Sequence, residues 1–371
     1  MKILCLIQCT NLGGMEQCML LLLQEFKQMN IDAEVISLNP LGELAGPLAH
    51  EGIPAHGLHY RGKGGWRSVP ELRHLLKTTQ ADGLVMIGHN LMASVAIGQR
   101  WRRHRTLMLH YHHAGVKPVW QWRLIYALAA LQFRIMAYVS DYIMREAIEI
   151  APFLRWRTRM VGTIVPLQTR DAQTRSQARL RLGLSANAKV VGNAGWLIAR
   201  KRWDVFLDVA ATVLRIEPQT IFVVAGGGPD FALLQKKAAA LGIAKNIVWL
   251  GWQKDLSDFY QAIDVLLFNS DWDAQPRTPL EAMSYGIPVV ASILRGGTRE
   301  ILQDDSTGIL LQTHDIETLA QKVVLFLSNP GLAAQVGERG RQRIRECADP
   351  RQHALRTLEA LGLNPPSTSL G

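Results

Sequence analysis

The sequence predicts an α/β protein built from two doubly wound parallel-sheet domains, and three observations lead to that prediction. The chain has 371 residues, which is more than one ordinary domain of about 100–200 residues holds. Hydrophobic residues make up 48% and charged residues 19%, a composition that forms packed cores and excludes disorder over most of the length. Short apolar runs alternate with longer helical segments, as in parallel sheets whose two faces are covered by helices.

The N-terminal half of the sequence consists of strand–helix units. Five apolar runs have the length and composition of buried strands: 2–8, 33–38, 83–87, 106–111 and 135–139. Helices are predicted between and after them, at 17–26, 68–77, 91–101, 120–131 and 140–152. Because a helix follows almost every strand, these strands should lie parallel in one sheet.

The C-terminal half repeats this pattern after a change in character between residues 155 and 185. Pro166 and the polar run 169–177 place a linker around 165–172. Strands are then predicted at 189–193, 220–225, 247–250, 265–268 and 288–292, and helices at 202–216, after 230, and at 280–285, 316–327 and 332–344. We therefore predict an N-terminal domain over 1–167, a C-terminal domain over 168–350, a helix over 351–363 that crosses back to the N-terminal domain, and a frayed tail over 364–371.

Cysteine usage and hydropathy predict a cytoplasmic protein. The four cysteines lie far apart or inside apolar runs, so reduced thiols are expected rather than disulfides or a structural zinc site. The apolar run near the N-terminus is too short for a secretory signal. The other apolar runs fall well short of the ~20 residues that span a bilayer. We expect a soluble protein or one attached to the membrane surface.

A basic stretch with interleaved aromatic residues extends from residue 100 to 159. It holds eleven Lys or Arg residues and three acidic residues, a local net charge of +8. Such a surface suits an anionic membrane or a polyanion, and an ordinary solvated helix face is the alternative. Nucleic acid is not an expected partner, because no nucleic-acid-binding motif is present. The candidate surface residues are Arg102, Arg103, Arg105, Trp120 and Trp122.

The strongest local signal is the string from Ser270 to Val290, in which Asp273 and Glu281 lie eight positions apart. Asp273 is predicted to lie in a loop after the strand 265–268, and Glu281 in the first turn of a helix that starts near Thr278. Two carboxylates so placed can hold a polyhydroxylated ligand at both ends, and the helix N-terminus between them can stabilise a pyrophosphate. A simple helix-dipole role would explain Glu281 but not the whole string.

This string resembles the acid-x7-acid signature of retaining glycosyltransferases of family 4, the glycosyl transferases group 1, which have the GT-B fold. The matching residues are Pro276, Arg277, Thr278, Leu280, Glu281, Ala282, Met283, Gly286, Pro288, Val289 and Val290. Five further motifs occur in the family's order, at Gly13–Glu16, Gly195–Lys201, Ala225–Pro229, Leu250–Gly251 and Gly296–Gly308. The resemblance implies two Rossmann-like domains facing a central cleft, with the acceptor on the N-terminal side and the nucleotide-sugar on the C-terminal side.

The resemblance also implies roles for single residues. Asp273 would bind hydroxyls of the donor sugar, Glu281 the ribose hydroxyls, and Lys201 the β-phosphate of the donor. The other implied donor-binding residues are Gly14, Trp196, Arg202, Gly251, Arg277, Thr278, Gly297 and Thr298. The implied catalytic histidine is His112, which competes for that role with His110, His113 and His89.

Three positions depart from the family pattern. Trp196 replaces an arginine, so one cation for the phosphates is missing unless Arg200 or Arg202 substitutes for it. Asp273 replaces a glutamate, which shortens the reach of the carboxylate by one methylene. Arg202 replaces the glycine that follows the lysine.

The implied activity is transfer of a sugar from a nucleoside-diphosphate-sugar to a glycan or lipid-linked acceptor at the inner face of the membrane. The stereochemistry would be retaining, and no cofactor or metal is expected. Asp271 and Asp273 have the spacing of a metal-binding pair but match the acid signature better. The alternatives are a degenerate GT-B domain that binds a sugar nucleotide or scaffolds other transferases, and a GT-B sugar-nucleotide epimerase.

Overall fold

The computed structural model describes residues 1–11, 13–59, 67–90, 93, 105–111, 117–302 and 306–365. The chain divides into two compact units, one formed by Met1–Ile164 with Ala348–Gly371 and the other by Val165–Cys347. Each unit contains one parallel sheet. The predicted α/β class with two parallel-sheet, Rossmann-like halves is therefore confirmed.

The first unit is built on a sheet in the order β3-β2-β1-β4-β5-β6-β7. Its strands are β1 Lys2–Ile7, β2 Asp32–Ser37, β3 Ala55–Gly57, β4 Gly83–Ile87, β5 Thr106–His110, β6 Ile135–Tyr138 and β7 Thr158–Met160. The helices along this part of the chain are α1 Gly14–Gln28, α2 Ala45–His50, α3 Val69–Thr78, α4 Val119–Gln132 and α5 Asp141–Ile150. The short β3 and β7 at the sheet edges and the short α2 were not predicted, because elements of three to six residues carry little periodicity.

The second unit is built on a sheet in the order β10-β9-β8-β11-β12-β13. Its strands are β8 Val190–Ala194, β9 Ile221–Ala225, β10 Ile247–Gly251, β11 Val265–Asp273, β12 Val289–Gly296 and β13 Ile309–Leu311. Its helices are α6 Ala172–Arg181, α7 Trp203–Ile216, α8 Phe231–Ala240, α9 Ser257–Ala262, α10 Arg277–Ser284, α11 Ile316–Ser328 and α12 Pro330–Cys347. The chain then returns to the first unit as α13, Pro350–Leu361, which packs against α1.

The length of β11 corrects one prediction. The sequence placed Asp273 in a loop because the apolar run ends at Phe268, but β11 continues to Asp273 itself. The extension is paired with β12, where Trp272 lies opposite Arg295 and Asp273 opposite Gly296. Backbone pairing to a neighbouring strand continues beyond the buried core, and hydrophobicity alone does not reveal it.

Helix α6 is attached to the second unit by one buried guanidinium. Arg179 is only 1% exposed. It donates to the carbonyl oxygens of Ala262 at 3.0 Å, Ala186 at 2.6 Å and Ala188 at 2.9 Å, and to Asp264 Oδ2 at 2.9 Å. These bonds satisfy most of its donors inside the protein, and they fix the first helix of the unit next to β11.

In the part of the chain that the structure describes, no helix is both long and apolar enough to cross a membrane.

Helix α13 contains a buried histidine that should make stability depend on pH. Burial, together with the nearby Arg356 guanidinium, lowers the pKa of His353 to about 4. Below its ordinary pKa of about 6.5, the unfolded chain binds a proton at this residue that the folded chain does not. The free energy of unfolding should therefore fall by up to roughly 3 kcal/mol as the pH drops from about 6.5 to about 4.

Urea unfolding of wild type and His353→Gln near pH 7 and near pH 5 measures this effect. The variant should lose much less stability between the two pH values than wild type does. His74→Gln, a substitution on the exposed side of α3, serves as the control and should keep the wild-type dependence. Equal pH dependence in wild type and His353→Gln would contradict the prediction.

Candidate active site at the carboxyl end of the second sheet

The candidate site lies where β8, β11 and β12 end. The chain leaves β8 toward β9 and β10 and later returns to the other side of β8 as β11. At such a switch point the connections diverge to opposite sides, which opens a crevice outside the carboxyl ends of the strands. The turn that follows β8, the last residues of β11 and the start of α10 all come to this edge.

Two basic residues of that turn meet the carboxylate of Asp273. Lys201 Nζ lies 2.5 Å and Arg200 Nη1 3.3 Å from Asp273 Oδ2. The side chains of Lys201 and Asp273 are both largely but not fully buried. The structure thus brings together two residues that the sequence assigned to the donor site, and it adds Arg200.

Arg200 is fixed by further contacts. Its Nη1 donates to the carbonyl oxygen of Trp272 at 2.7 Å, and its guanidinium lies 4.3 Å from the centre of the Trp272 ring. A guanidinium over an aromatic face gains a cation–π attraction. Arg200 is therefore a positioned cation at this edge, four residues after Trp196.

Arg202 adopts a backbone conformation that ordinarily favours glycine. Its φ and ψ angles are 46° and 47°, in the left-handed region, at the start of α7. Arg202 pairs with Asp204 at 2.9 Å and with Asp271 at 3.1 Å. Its hydrogen bonds to Asp204 and Asp271 raise the pKa of Arg202 further above its usual range. The glycine expected here is thus replaced by a strained residue that two carboxylates hold in place.

A polar chain behind Asp271 was not foreseen from the sequence. His314 Nε2 lies 3.2 Å from Asp271 Oδ1, and His314 Nδ1 lies 2.7 Å from Ser292 Oγ. Ser292 also accepts a hydrogen bond of 2.8 Å from Asn269 Nδ2. The four residues come from β11, β12 and the segment after β13. The one available signal was the presence of polar residues in two otherwise apolar strands.

Glu281 is held by two donors. Arg277 donates to Glu281 Oε1 from Nε at 2.9 Å and from Nη2 at 2.7 Å, and the Tyr260 hydroxyl donates to Oε2 at 2.7 Å. Burial, reinforced by the charge of Glu281, raises the pKa of Tyr260 well above its usual value, so the hydroxyl keeps its proton. The structure therefore orients the Glu281 carboxylate through Arg277, which the sequence had selected, and Tyr260, which it had not.

Helix α10 starts at Arg277, which is one residue before the start near Thr278 and three before the predicted span 280–285. Its beginning is held against β8. The Thr278 hydroxyl donates to the carbonyl oxygen of Ala194 at 3.0 Å. Pro276, the residue before the helix, provides no side-chain cap. The first turn of α10 therefore begins at the same edge as Asp273, and a helix N-terminus favours an anion.

The loop after β12 closes against Asp273 because residue 296 is glycine. Gly296 has a φ of 135°, and a Cβ there would come within 1.8 Å of the Asp273 carbonyl oxygen. The next residue, Gly297, donates its N–H to the Ala274 carbonyl oxygen at 3.1 Å. Thr298 is buried, and its Oγ1 has no hydrogen-bond partner among the described residues. Gly297 and Thr298 thus lie beside the end of β11, near Asp273.

Trp196 and Gly251 contribute to a second part of the edge. The rings of Trp196 and Trp252 lie 4.9 Å apart, and both side chains are exposed. Gly251 ends β10 just before Trp252 and has a φ of 68°. The Trp196 carbonyl oxygen accepts a bond of 2.9 Å from Trp203 Nε1. An exposed aromatic pair offers a stacking surface at the position where an arginine was expected.

The candidates in the first unit are only partly described. His112, His113, Arg102 and Arg103 lie outside the described residues. Gly14 is the first residue of α1. His110 is buried at the end of β5, and its ring centre lies 5.9 Å from that of His89.

The prediction that Trp122 lies on the surface was wrong. Trp122 is fully buried, with its ring centre 4.7 Å from that of His89 and 5.3 Å from that of His110. It lies on the inner side of α4, two residues after Trp120, which is 65% exposed. Arg105 precedes β5 and has a φ of 54°.

The described ranges contain no cluster of three His, Cys, Asp or Glu side chains that could hold a metal ion.

Comparison with known proteins identifies the family. The model described as Glycosyltransferase Family 4 matches residues 12–168, and the model described as Glycosyl transferases group 1 matches residues 175–343. Together they span most of the chain. The protein therefore belongs to the GT-B glycosyltransferases.

Two curated relatives illustrate the similarity. The lipopolysaccharide core biosynthesis mannosyltransferase LpsB of Rhizobium meliloti is 31% identical over 173 residues, which cover 43% of this chain and 48% of LpsB. The D-inositol 3-phosphate glycosyltransferase of Streptomyces avermitilis is 34% identical over 190 residues, which cover 48% of this chain and 40% of that protein. The alignments thus span less than half the length of either relative.

Solved structures share the fold over nearly the whole chain. The structure of Anabaena HepE in complex with UDP has a TM-score of 0.84 at 20% identity, covering 98% of this chain and 100% of HepE. The apo form of the lipopolysaccharide outer core galactosyltransferase WaaB has a TM-score of 0.72 at 19% identity, covering 98% of this chain and 99% of WaaB. At these identities the likeness shows that the fold is GT-B.

Arg202 allows a direct test of the strained turn. In Arg202→Ala the ion pairs are lost while the Cβ atom remains in the left-handed conformation, whereas Arg202→Gly loses the same pairs without that clash. A non-glycine residue pays about 1–2 kcal/mol in this region. The glycine variant should therefore be more stable than the alanine variant by about 1 kcal/mol in urea unfolding. Equal midpoints for the two variants would show that the turn is unstrained.

Proposed function

We propose that this protein transfers a sugar from a nucleoside-diphosphate-sugar to a glycan or lipid-linked acceptor in the biosynthesis of cell-surface polysaccharide or glycolipid. The proposed reaction retains the configuration at the anomeric carbon and uses no metal or other cofactor. The proposed location is the cytoplasm, with peripheral attachment to the inner face of the membrane. The observation that supports this most is the pair of oriented carboxylates, Asp273 and Glu281, on either side of the start of α10.

The cations near Asp273 suit a departing nucleoside diphosphate. Negative charge grows on the diphosphate as the bond to the anomeric carbon breaks, and preorganised donors stabilise such charge. Lys201 Nζ and Arg200 Nη1 both lie within 3.3 Å of one carboxylate oxygen. A phosphate group at this edge would draw Lys201 from Asp273, and the freed carboxylate would accept hydrogen bonds from sugar hydroxyls.

Glu281 is suited to hold the ribose. A carboxylate accepts hydrogen bonds from two adjacent hydroxyls, and its oxygens must be fixed for that geometry. The contacts from Arg277 and Tyr260 fix them. The first-turn amides of α10 lie between the two carboxylates in sequence and would face the phosphates, with Thr278, Gly297 and Thr298 close by. Gly251 and the exposed ring of Trp196 are proposed to flank the base.

The comparisons suggest UDP as the first nucleotide to test. Structures of HepE contain UDP, UDP-glucose, or UDP with glucose. LpsB, the D-inositol 3-phosphate glycosyltransferase and WaaB are named as sugar transferases, two of them of lipopolysaccharide. They give no support to the epimerase or the scaffold as alternatives. His112 remains the proposed catalytic histidine and Gly14 a proposed donor contact, both from the sequence alone.

Nucleotide binding gives the first test of the donor site. A nucleoside diphosphate at about 100 times its dissociation constant should stabilise the protein by roughly 2.7 kcal/mol. We expect UDP, compared with GDP, ADP and CMP, to raise the melting temperature in the presence of EDTA. Glu281→Gln should lose most of this shift, because an amide accepts fewer hydrogen bonds from the ribose. Glu338→Gln, an exposed position on α12 of the same unit, should keep it.

A shift that EDTA abolishes would reject the metal-independent reading. The absence of a shift with all four nucleotides would reject the donor site itself.

Loss of Lys201 should impair sugar transfer. Lys201→Gln removes a cation that stabilises the leaving group, so kcat/KM for UDP-sugar consumption should fall by about 100-fold or more. Lys237→Gln is the matched control, since Lys237 forms an ion pair with Asp208 on the helical side of the same unit. Wild-type turnover in Lys201→Gln would refute this assignment.

A further inference from the structure

Helix α4 is apolar on its outer side as well as on its inner side. Trp120, Leu124 and Leu131 are all exposed. At about 100° per residue these three lie within about 40° of one another around the helix. The inner side is equally apolar and carries Trp122 and Ile125, both buried. A helix that is hydrophobic all around is ordinarily covered on all sides, but the outer side of α4 is open to solvent.

A second exposed apolar segment follows α5. The 3-10 helix Pro152–Arg157 exposes Phe153 and Trp156, and Trp156 at 81% is the most exposed large hydrophobic residue of the described chain. The Arg155 guanidinium lies 5.6 Å from the centre of the Trp156 ring. This segment thus presents two large aromatic rings to solvent, one of them beside a cation.

Hydrogen bonds hold the two segments next to each other. Arg157 Nη1 donates to the carbonyl oxygen of Ala130 on α4 at 2.5 Å. Arg123 Nε donates to the carbonyl oxygen of Ile150 at the end of α5, at 3.3 Å. We call the exposed side chains of Trp120, Leu124, Leu131, Phe153 and Trp156 the aromatic face.

The chain around the aromatic face is strongly basic. Residues 117–134 and 152–160 contain six Lys or Arg residues and no Asp or Glu. Arg123, Arg134, Arg155 and Arg159 are exposed. Other large exposed apolar residues, such as Leu180 and Leu233, occur singly on α6 and α8 and lack this combination.

We propose that the aromatic face docks the protein onto an anionic lipid surface. Tryptophan rings and leucine side chains would enter the boundary between headgroups and acyl chains, while the surrounding arginines contact anionic headgroups. A soluble polyanion would account for the arginines but leaves Leu124, Leu131 and Phe153 without a role. The two segments that carry the face have no carboxylate of their own, and with Asp141, Glu146 and Glu149 of α5 between them the stretch 117–160 keeps a net charge of +4. This charge complements a negatively charged surface.

This inference refines the location part of the proposed function, yet its test is independent of catalysis. Nucleotide binding is assigned to the second unit, whereas every residue of the aromatic face belongs to the first. Vesicle binding and the nucleotide-induced shift in melting temperature can therefore fail separately.

Cosedimentation with vesicles tests the proposal. The full chain is mixed with phosphatidylcholine vesicles that contain or lack phosphatidylglycerol, at low and high salt. We expect binding only to the anionic vesicles, weakened by salt. Trp120→Ser combined with Trp156→Ser should lower the partition coefficient at least tenfold. Arg155→Gln with Arg159→Gln should lower it and reduce its salt dependence. Leu180→Ser with Leu233→Ser is the matched control and should bind as wild type does.

Three results would overturn the proposal. The first is no binding to anionic vesicles by a wild-type protein that still shows a nucleotide shift. The second is an equal loss of binding in the control pair, or retention of binding in the tryptophan pair. The third is a wild-type dimer in sedimentation velocity that the tryptophan pair disrupts, since a second copy would then cover the face.

Trp120→Phe with Trp156→Phe guards against misfolding of the serine variant. These substitutions keep an aromatic ring at both positions, so we expect vesicle binding within about threefold of wild type. Loss of binding in the phenylalanine pair with an unchanged melting temperature would also count against the proposal.

Discussion

The carboxylate of Asp273 is the point on which the candidate site depends. It ends a central strand of the second sheet and meets Lys201 and Arg200 from the turn after β8. Partly buried charges are stable only with partners, so the turn 199–202 and the end of β11 are fixed relative to each other. The adjoining loop is fixed as well, because only a glycine at position 296 fits against the Asp273 backbone. Asp273 thereby contacts the turn after β8 through its side chain and the loop after β12 through its backbone.

Charge balance explains why the departures from the family pattern are structurally tolerated. Arg202 takes a left-handed conformation, and Asp204 and Asp271 both hold its guanidinium. Asp271 in turn contacts His314, which reaches Ser292 inside the sheet. A residue that is unfavourable by backbone conformation is thus anchored by a polar chain that extends into β12. The loss of an arginine at position 196 is accompanied by Arg200, which lies over Trp272 and reaches the same carboxylate.

The two units differ in the kinds of side chain that they place at their surfaces. The second unit places its charged residues in pairs at the sheet edge, where a charged and hydroxylated ligand would bind. The first unit leaves a helix apolar on its outer side, and the stretch around that helix, residues 117–160, has a net charge of +4. Burial of that face against a lipid surface would remove large apolar side chains from water. This burial is the favourable contribution on which the proposed docking depends.

The sequence by itself determined the fold class and the identity of the central candidates. Alternating apolar runs and helical segments were enough for the parallel sheets, since most of the buried strands contain a continuous hydrophobic run. The spacing of Asp273 and Glu281 was enough to select both residues, because a short connection between a strand and a helix leaves few arrangements. Helix α10 begins at Arg277, one residue before the start near Thr278 predicted for Glu281 and three residues before the predicted span 280–285.

Only the tertiary structure decided which side chains meet. Tyr260, Arg200 and His314 belong to the site because they contact Glu281, Asp273 and Asp271. These partners lie 21, 73 and 43 positions away in the chain. Trp120 and Trp122 are two residues apart and equally hydrophobic, yet one is exposed and the other buried against His89. A helix that is apolar on both sides carries no sequence signal for its inner face, so the packing of neighbouring elements alone fixes it.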